Sequence, residues 1–427
     1  MLEINKLETE NRKLQSAVNE LSVLNDIATA VSSTQSLESV IDQIVFKCIR
    51  HLHVEEGTIS LLGDVDDDQT FHTMIRRQDI TQKRVSFRLD GQVTGWMLKN
   101  RKPLLSNNIR EDDMFRFFKN DEISFNSMLC VPLMIKGQLI GYLAVFNKKN
   151  AELFTEEDQR LLSIIASQSA HVIENARLYE EEKILTTLRE EMRMAREIQR
   201  NLLPKEIPQI DGYEFSATTI SAQEVGGDYY DFMYLDNGWL GFCVGDITGK
   251  GMPAAMLMAN LQAALRSQAL TGNNCAGCLK NVNKLLFRST ESTKFATLFY
   301  GALDPFTNTI MYTNGGHDNP ILLKKDKEPV MLEATGLLLG IMEDVVYGQS
   351  TLEMGSGDIL VLYTDGITES MNDKREELGF DAVLSSVKKY RNDSANVIQD
   401  KLIAEIRQHA KGVPQSDDIT LMIIKKT

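Results

Sequence analysis

The chain has 427 residues, 43% of them hydrophobic and 25% charged, with a formal net charge of −14. That length suits two or three domains with real cores, and the acidic balance excludes a nucleic acid held by the overall field. No apolar run reaches the roughly 18–20 residues that span a bilayer, the N-terminus has no apolar signal core, and the five cysteines are an odd, sparse set. An acidic, cytoplasmic, multidomain α+β protein is expected, with no membrane span and no disulfide framework.

Residues 1–33 read as a helix. Ile4, Leu7, Asn11, Leu14, Val18, Leu21, Asn25 and Ala28 recur at spacings of three and four, the seam of a coiled coil that would join two copies into a homodimer. A single amphipathic helix packed on its own domain is the alternative.

Residues 34–178 read as a small α/β domain. A helix carries Leu37, Val40, Ile41, Ile44, Val45 and Cys48 on one face, and strands follow at 58–62, 71–76 and 84–89. Gly91–Trp96 leads into a helix that ends near Pro103. Strands at 127–135 and 139–147 flank Lys136-Gly137-Gln138 and read as a hairpin. Thr155 caps a long helix, with Asp158 three residues on. That helix runs without Gly or Pro to Leu203. Leu185, Leu188, Met192, Ala195 and Leu202 keep heptad spacing, and Gln199 breaks it, so 179–204 reads as a second coiled coil linking two domains.

Residues 205–427 mix short strands with four helices without strict alternation, which suggests α+β layers. Strands are expected at 213–219, 239–244, 296–302, 309–313, 320–323, 349–352, 358–363 and 419–425. Helices are expected at 253–268, 276–287, 380–389 and 395–409. Four aspartates, far apart in sequence, stand at strand ends or glycine turns: Asp228, Asp246, Asp365 and Asp417, the last beside Asp418. Carboxylates gathered at a partly dry rim repel one another unless a cation lies between them, and hard oxygen donors without Cys or His select Mg²⁺ or Mn²⁺. Singly, each such Asp is a turn residue.

Taken together, these motifs carry a resemblance. Gln199–Pro204, Glu224–Asp231, Gly245-Asp-Ile-Thr-Gly-Lys-Gly-Met-Pro-Ala-Ala255, Lys294–Tyr300, Thr313–Pro320, Gly357–Glu369 and Ser416-Asp-Asp-Ile-Thr420 resemble the SpoIIE-type (RsbU-like) branch of the metal-dependent PPM protein phosphatases. The resemblance implies a β-sandwich flanked by helices and two Mn²⁺ or Mg²⁺ ions. Asp246 would bridge both ions, and Ile247 would offer its carbonyl. Asp365 and Asp417 would complete the second site, and Asp228 would hold a water or a ligand position. Asp418 competes with Asp417. The implied reaction is in-line attack of a metal-activated hydroxide on phosphoserine or phosphothreonine. The implied substrate is a phosphorylated STAS-like anti-sigma-factor antagonist. Thr248 stands where eukaryotic relatives have a His proposed as the acid, which leaves the acid unassigned; His317 is a substitute by residue type.

Residues 34–178 resemble a GAF sensor domain through Gly91–Trp96, Ser127–Pro132, Gly137–Phe146 and Phe154–Asp158. A small-molecule ligand of that domain would bias the long helix. Asn147, Lys148, Phe154 and Asp158 match the cyclic-nucleotide-binding signature, but Gln159 replaces its final Glu. Gly226-Gly227-Asp228 resembles a diguanylate-cyclase signature, but two tyrosines follow it. Cys275-Ala-Gly-Cys278 lacks a second ligand pair for zinc and reads as a helix start. His51 and His53 read as a helix end, and Trp96 and Trp239 as core. Two other classes of function compete with the enzyme: a degenerate phosphatase fold that only docks a partner, and a ligand receptor that signals by oligomerisation.

Overall fold

The structure is a computed structural model. It describes residues 36–62, 71–77, 91–112, 115, 125–272, 274–290, 293–325 and 327–427, with Glu10, Asn11, Leu14, Val18 and Ser22. Most of the expected N-terminal coiled coil and the strand at 84–89 lie outside the described residues. Backbone contacts divide the chain into two units, Met1–Thr187 and Leu188–Thr427.

In the first unit, helix α1 (Leu37–Leu52) starts at Ser36, whose hydroxyl accepts the Ser39 N–H, and ends where His53 turns left-handed at φ 52°. It lays Val40, Ile41, Ile44, Val45, Cys48, Ile49 and Leu52 on the sheet. The sheet comprises β1 (Val54–Leu62), β2 (Phe71–Arg77), β3 (Leu104–Ser106), β4 (Met128–Ile135) and β5 (Gln138–Lys148), with α2 (Gly91–Asn100) between β2 and β3. Its order is β2-β1-β5-β4-β3, antiparallel throughout. The hairpin β4–β5 turns at Lys136 and Gly137, both left-handed. Strand β3 has three residues, too few for alternation to betray it.

Helix α3 (Glu156–Leu202) opens with a reciprocal capping box. Thr155 Oγ1 accepts the Asp158 N–H at 3.2 Å, and Asp158 Oδ2 accepts the Thr155 N–H at 2.8 Å. Asp158 also takes Lys148 Nζ at 2.6 Å, and Asn147 Oδ1 accepts the Asn126 N–H at 2.8 Å. These members of the nucleotide-like signature are thus engaged in tying β5 to the helix start and to β4. Trp96 packs half-buried against the first unit's core and Trp239 against the second's, in keeping with the core reading.

The second unit is a four-layer sandwich. One sheet has the order β13-β10-β9-β8-β7 and the other β12-β11-β14-β15-β6. The strands are β6 (Tyr213–Ile220), β7 (Tyr229–Tyr234), β8 (Leu240–Ile247), β9 (Ala296–Asp304), β10 (Thr309–Gly315), β11 (Ile321–Leu323), β12 (Val330–Met331), β13 (Ser350–Glu353), β14 (Ile359–Tyr363) and β15 (Ile419–Lys426). Strand β14 shows why the layers form. Leu360 and Leu362 enter the core between the sheets with Phe242, Phe299 and Met422, while Ile359, Val361 and Tyr363 face helices α7 (Phe380–Tyr390) and α8 (Ala395–His409). The other sheet is covered by α4 (Met252–Ala269) and α5 (Cys275–Ser289). Cys275 and Cys278 are buried at the start of α5, where Asn274 Oδ1 accepts the Gly277 N–H at 2.8 Å, so this pair is a helix start in a packed core.

Strand β7 is not among the strands expected from the sequence. Its centre carries Asp231, 0% exposed, forked to Arg266 at 2.6 and 2.9 Å and accepting Tyr229 Oη at 2.7 Å. A charge in mid-strand hides the apolar pattern, and the Arg266 of α4 is what makes it tolerable. Removing one partner strands the others, so Asp231→Ala is expected to destabilise this unit by about 3 kcal/mol, read as a lower urea midpoint at unchanged slope. A midpoint within error of wild type would show that the fork contributes nothing.

Candidate active site

Register brings the aspartates together. In the first sheet Tyr229 pairs with Gly245, which sets Asp228, just before β7, beside Asp246 near the end of β8. In the second, Tyr363 pairs with Leu421, so the end of β14 and the start of β15 lie side by side. Asp365 begins a single helical turn, α6 (Asp365–Thr368), directly after β14, and Asp417 and Asp418 precede β15. Thr364 links the two sheets: its hydroxyl donates to Asp228 Oδ2 at 2.8 Å and accepts the Thr420 N–H at 3.0 Å.

The electrostatics follow from crowding. Burial, and then Asp246, pushes the Asp228 carboxyl well above the usual range. Burial, then Asp365 and Asp417, pushes Asp246 up to about 7. Asp365 is raised by burial and by Asp417, and Asp318 is pushed up to about 6 by burial, Asp365 and Glu369. Among the described residues no three His, Cys, Asp or Glu side chains close into a cage around one point. Asp228 is the buried member of the group, and Asp417, at its exposed side, pairs with Lys250 Nζ at 3.0 Å. Hard carboxylate oxygens that raise one another's pKa form a donor set suited to Mg²⁺ or Mn²⁺.

Asp417 and Asp418 differ sharply in surroundings. Asp418 is buried, and its oxygens accept the Ala222 and Gly227 N–H groups at 2.7 Å each. Asp417 is half-exposed at the edge. Gly226 and Gly227 are required there: a Cβ on Gly226 would stand 2.2 Å from Asp418 Oδ2, and one on Gly227 would stand 2.7 Å from the Ile247 carbonyl oxygen.

Thr248, at the position of the relatives' His, and His317, the substitute by residue type, are both held within the fold. Thr248 Oγ1 both donates to the Phe295 carbonyl and accepts the Phe295 N–H, at 3.1 Å each. His317 is buried, and burial pulls it down to about 4, so it is neutral. Its Nδ1 lies 2.9 Å from Thr297 Oγ1, whose partner strand position is Asp246, while Nε2 is enclosed without a hydrogen-bond partner.

Three contributors escaped the sequence reading. Thr364 and Lys250 sit inside quoted motifs but carried no assigned role. Gln199 is 8% exposed near the end of α3, where its side-chain amide donates to the Gly226 carbonyl at 2.6 Å and accepts the Gly226 N–H at 3.1 Å. Its signals were the break in the heptad and its place at the start of the Gln199–Pro204 motif.

The second unit has the fold of PP2C-type domains. The SiaA-PP2C domain of Pseudomonas aeruginosa superposes with a TM-score of 0.51 at 17% identity, covering 57% of this chain and 98% of that one. The family model described as Stage II sporulation protein E (SpoIIE) matches residues 236–427, and that of the GAF domain matches 34–174. Residues 236–427 therefore carry a SpoIIE-type serine/threonine phosphatase domain of the PPM type, and residues 34–174 carry a GAF domain. Phosphoserine phosphatase RsbU of Bacillus subtilis (strain 168) is 28% identical over 58% of this chain and 75% of its own length. Protein IcfG of Synechocystis sp. (strain ATCC 27184 / PCC 6803 / Kazusa) is 28% identical over 55% of this chain, an alignment that spans only 41% of that protein.

Proposed function

We propose that this protein removes phosphate from a phosphoserine or phosphothreonine of a STAS-like anti-sigma-factor antagonist, in the cytoplasm. In this reading the GAF domain, with or without a small-molecule ligand, sets the activity through α3, and coiled coils hold two copies together. The observation that carries the reading is the meeting of Asp228, Asp246, Asp365 and Asp417 from two sheets on one edge, each of the first three with its carboxyl pKa raised by burial and neighbouring carboxylates. Asp246 would bridge two Mn²⁺ or Mg²⁺ ions, with the Ile247 carbonyl, Asp365 and Asp417 as further ligands and Asp228 in an outer position. Asp418, with both oxygens on backbone N–H groups, keeps the Asp228 loop in place. When bound, such ions activate water and neutralise charge on the phosphoryl oxygens. Lys250, already at the edge beside Asp417, supplies a positive charge to the incoming phosphate. Exposed Leu178, Leu185 and Leu188 on α3 support pairing of two helices.

The reading is tested by phosphate release from a phosphoserine-bearing STAS protein and from an aryl phosphate, using the full chain. Turnover is expected with Mn²⁺ or Mg²⁺ and is expected to vanish on chelation. Binding of the phosphoprotein without release under any metal would replace the enzyme by a docking module. A ligand-dependent change in mass with no turnover would favour the oligomerising receptor.

A further inference from the structure

We propose that Gln199 is a positioning residue for the active site: the amide latch between the end of α3 and the Gly226 backbone sets the place of Asp228. The inference rests on the metal-dependent reading above and goes beyond it in naming how the helix is read by the site.

Gln199 continues the stripe of Leu178, Leu185 and Met192 at steps of seven. Leu178 and Leu185 are 52% and 54% exposed, whereas Gln199 is 8% exposed. The stripe thus changes from apolar and open to polar and enclosed where it meets the loop. An apolar residue would have served packing alone. A side-chain amide instead presents one donor and one acceptor, and both go to Gly226. The next two residues are held from the opposite direction, the Gly227 N–H by Asp418 at 2.7 Å and the Asp228 N–H by the same oxygen at 3.4 Å. The loop that carries Asp228 is therefore clamped between a helix residue and a residue at the start of β15. A side chain at either glycine would break the clamp, since the space is taken by Asp418 and by the Ile247 carbonyl. Any shift of the helix end by a fraction of a turn draws Gly226 with it, and Asp228 lies two residues away. The neighbouring ion pair Arg196–Glu224, at 3.1 Å, joins the same helix end to the same loop but is exposed, so it transmits little.

The test compares full-length wild type with Gln199→Met, which keeps volume and removes both hydrogen bonds, and with Arg196→Ala. Amide exchange is measured over 222–228 in the metal-free chain, Mn²⁺ binding by calorimetry, and kcat and KM on the phosphoserine protein. In Gln199→Met, exchange in that segment is expected to quicken by about ten- to hundredfold, the loss of two buried hydrogen bonds. Mn²⁺ affinity and kcat are expected to fall by about tenfold with KM within about twofold, while Arg196→Ala stays within about twofold throughout. Gln199→Glu, which keeps the acceptor for the Gly226 N–H and loses the donor, is expected to lie between and serves if the Met variant does not fold. Quickened exchange with wild-type Mn²⁺ affinity and kcat would reduce Gln199 to a structural anchor and overturn the proposal, as would unchanged exchange. A wild type that neither binds Mn²⁺ nor turns over would instead sink the metal-dependent reading, and the exchange data would still report the latch.

Discussion

Asp246→Asn is expected to abolish metal-dependent phosphate release, a loss of at least about a thousandfold, and at the same time to stabilise the metal-free chain at pH 8. The first effect follows from the place of Asp246, the carboxylate in contact with the fields of Asp228, Asp365, Asp417 and Asp418. Asn lacks the charge that would hold two cations together. The second effect has a sign that can be worked out. Burial, then Asp365 and Asp417, raises this carboxyl from 3.8 to about 7 in the folded chain. A group whose folded pKa is raised contributes stability that is complete below its unfolded pKa and is lost as pH rises through the folded pKa. Wild type therefore loses this contribution between about pH 4 and pH 7, and Asn, which stays neutral, does not. The advantage of the variant is expected to be on the order of 1–2 kcal/mol above pH 7, less than the bare shift implies because the carboxyl is partly open to solvent. Thermal denaturation with chelator at pH 5, 6, 7 and 8 reads it as a gap in Tm that widens with pH. A gap that is constant or of opposite sign would show that crowding of carboxylates is not what strains the edge. Adding Mn²⁺ should reverse the order, because bound cations stabilise only the chain that can hold them.

How much of this was legible in the sequence can be judged strand by strand. Strands β8, β14 and β15 are largely apolar runs with an Asp at or next to one end, and such runs are hard to read as anything but buried strands. Helices α4, α5, α7 and α8 carry clear periodicity and fall within about two residues of expectation. Strand β7 was hidden because its central residue is a charge whose partner, Arg266, lies 35 residues away. Strands β3 and β12, of three and two residues, exist only through their neighbours. At the site, the four motifs named the aspartates, but adjacency in sequence could not say which of Asp417 and Asp418 turns inward. That is decided by alternation at the start of β15 and by the loop 222–227, whose N–H groups claim Asp418. Gln199 was visible as a break in the heptad and as the first residue of the Gln199–Pro204 motif, but neither named its partner. A polar residue in a heptad seam reads as a register device until the partner it bonds is seen.

Gly366→Ala tests the geometry of the same edge from the other sheet, and a single methyl group is expected to undo it. A Cβ at Gly366 would stand 1.9 Å from the Asp418 carbonyl oxygen and 2.9 Å from its carbonyl carbon, with the Asp417 carbonyl carbon at 3.4 Å. These are backbone atoms of the neighbouring chain segment, so no side chain can turn aside. The end of β14 must separate from the start of β15, or α6 must unwind. Either route moves Asp365 relative to Asp417 and strips Asp418 from the Asp228 loop. The cost of such overpacking against fixed backbone is expected to be about 2–4 kcal/mol, seen as a lower urea midpoint for this unit. Mn²⁺ affinity should fall at least about tenfold, because misplacing one ligand of a set forfeits much of its charge-assisted bonding. Gly355→Ala is the matched control: its Cβ would meet the Asp358 carboxylate at ordinary contact distances, 3.5 Å to Oδ2 and 3.9 Å to Cγ, so stability and metal affinity should stay near wild type. If Gly366→Ala also stayed there, the two strand ends would have room to spare, and the close approach of Gly366 to the Asp417–Asp418 backbone could not be what fixes the spacing of the carboxylates.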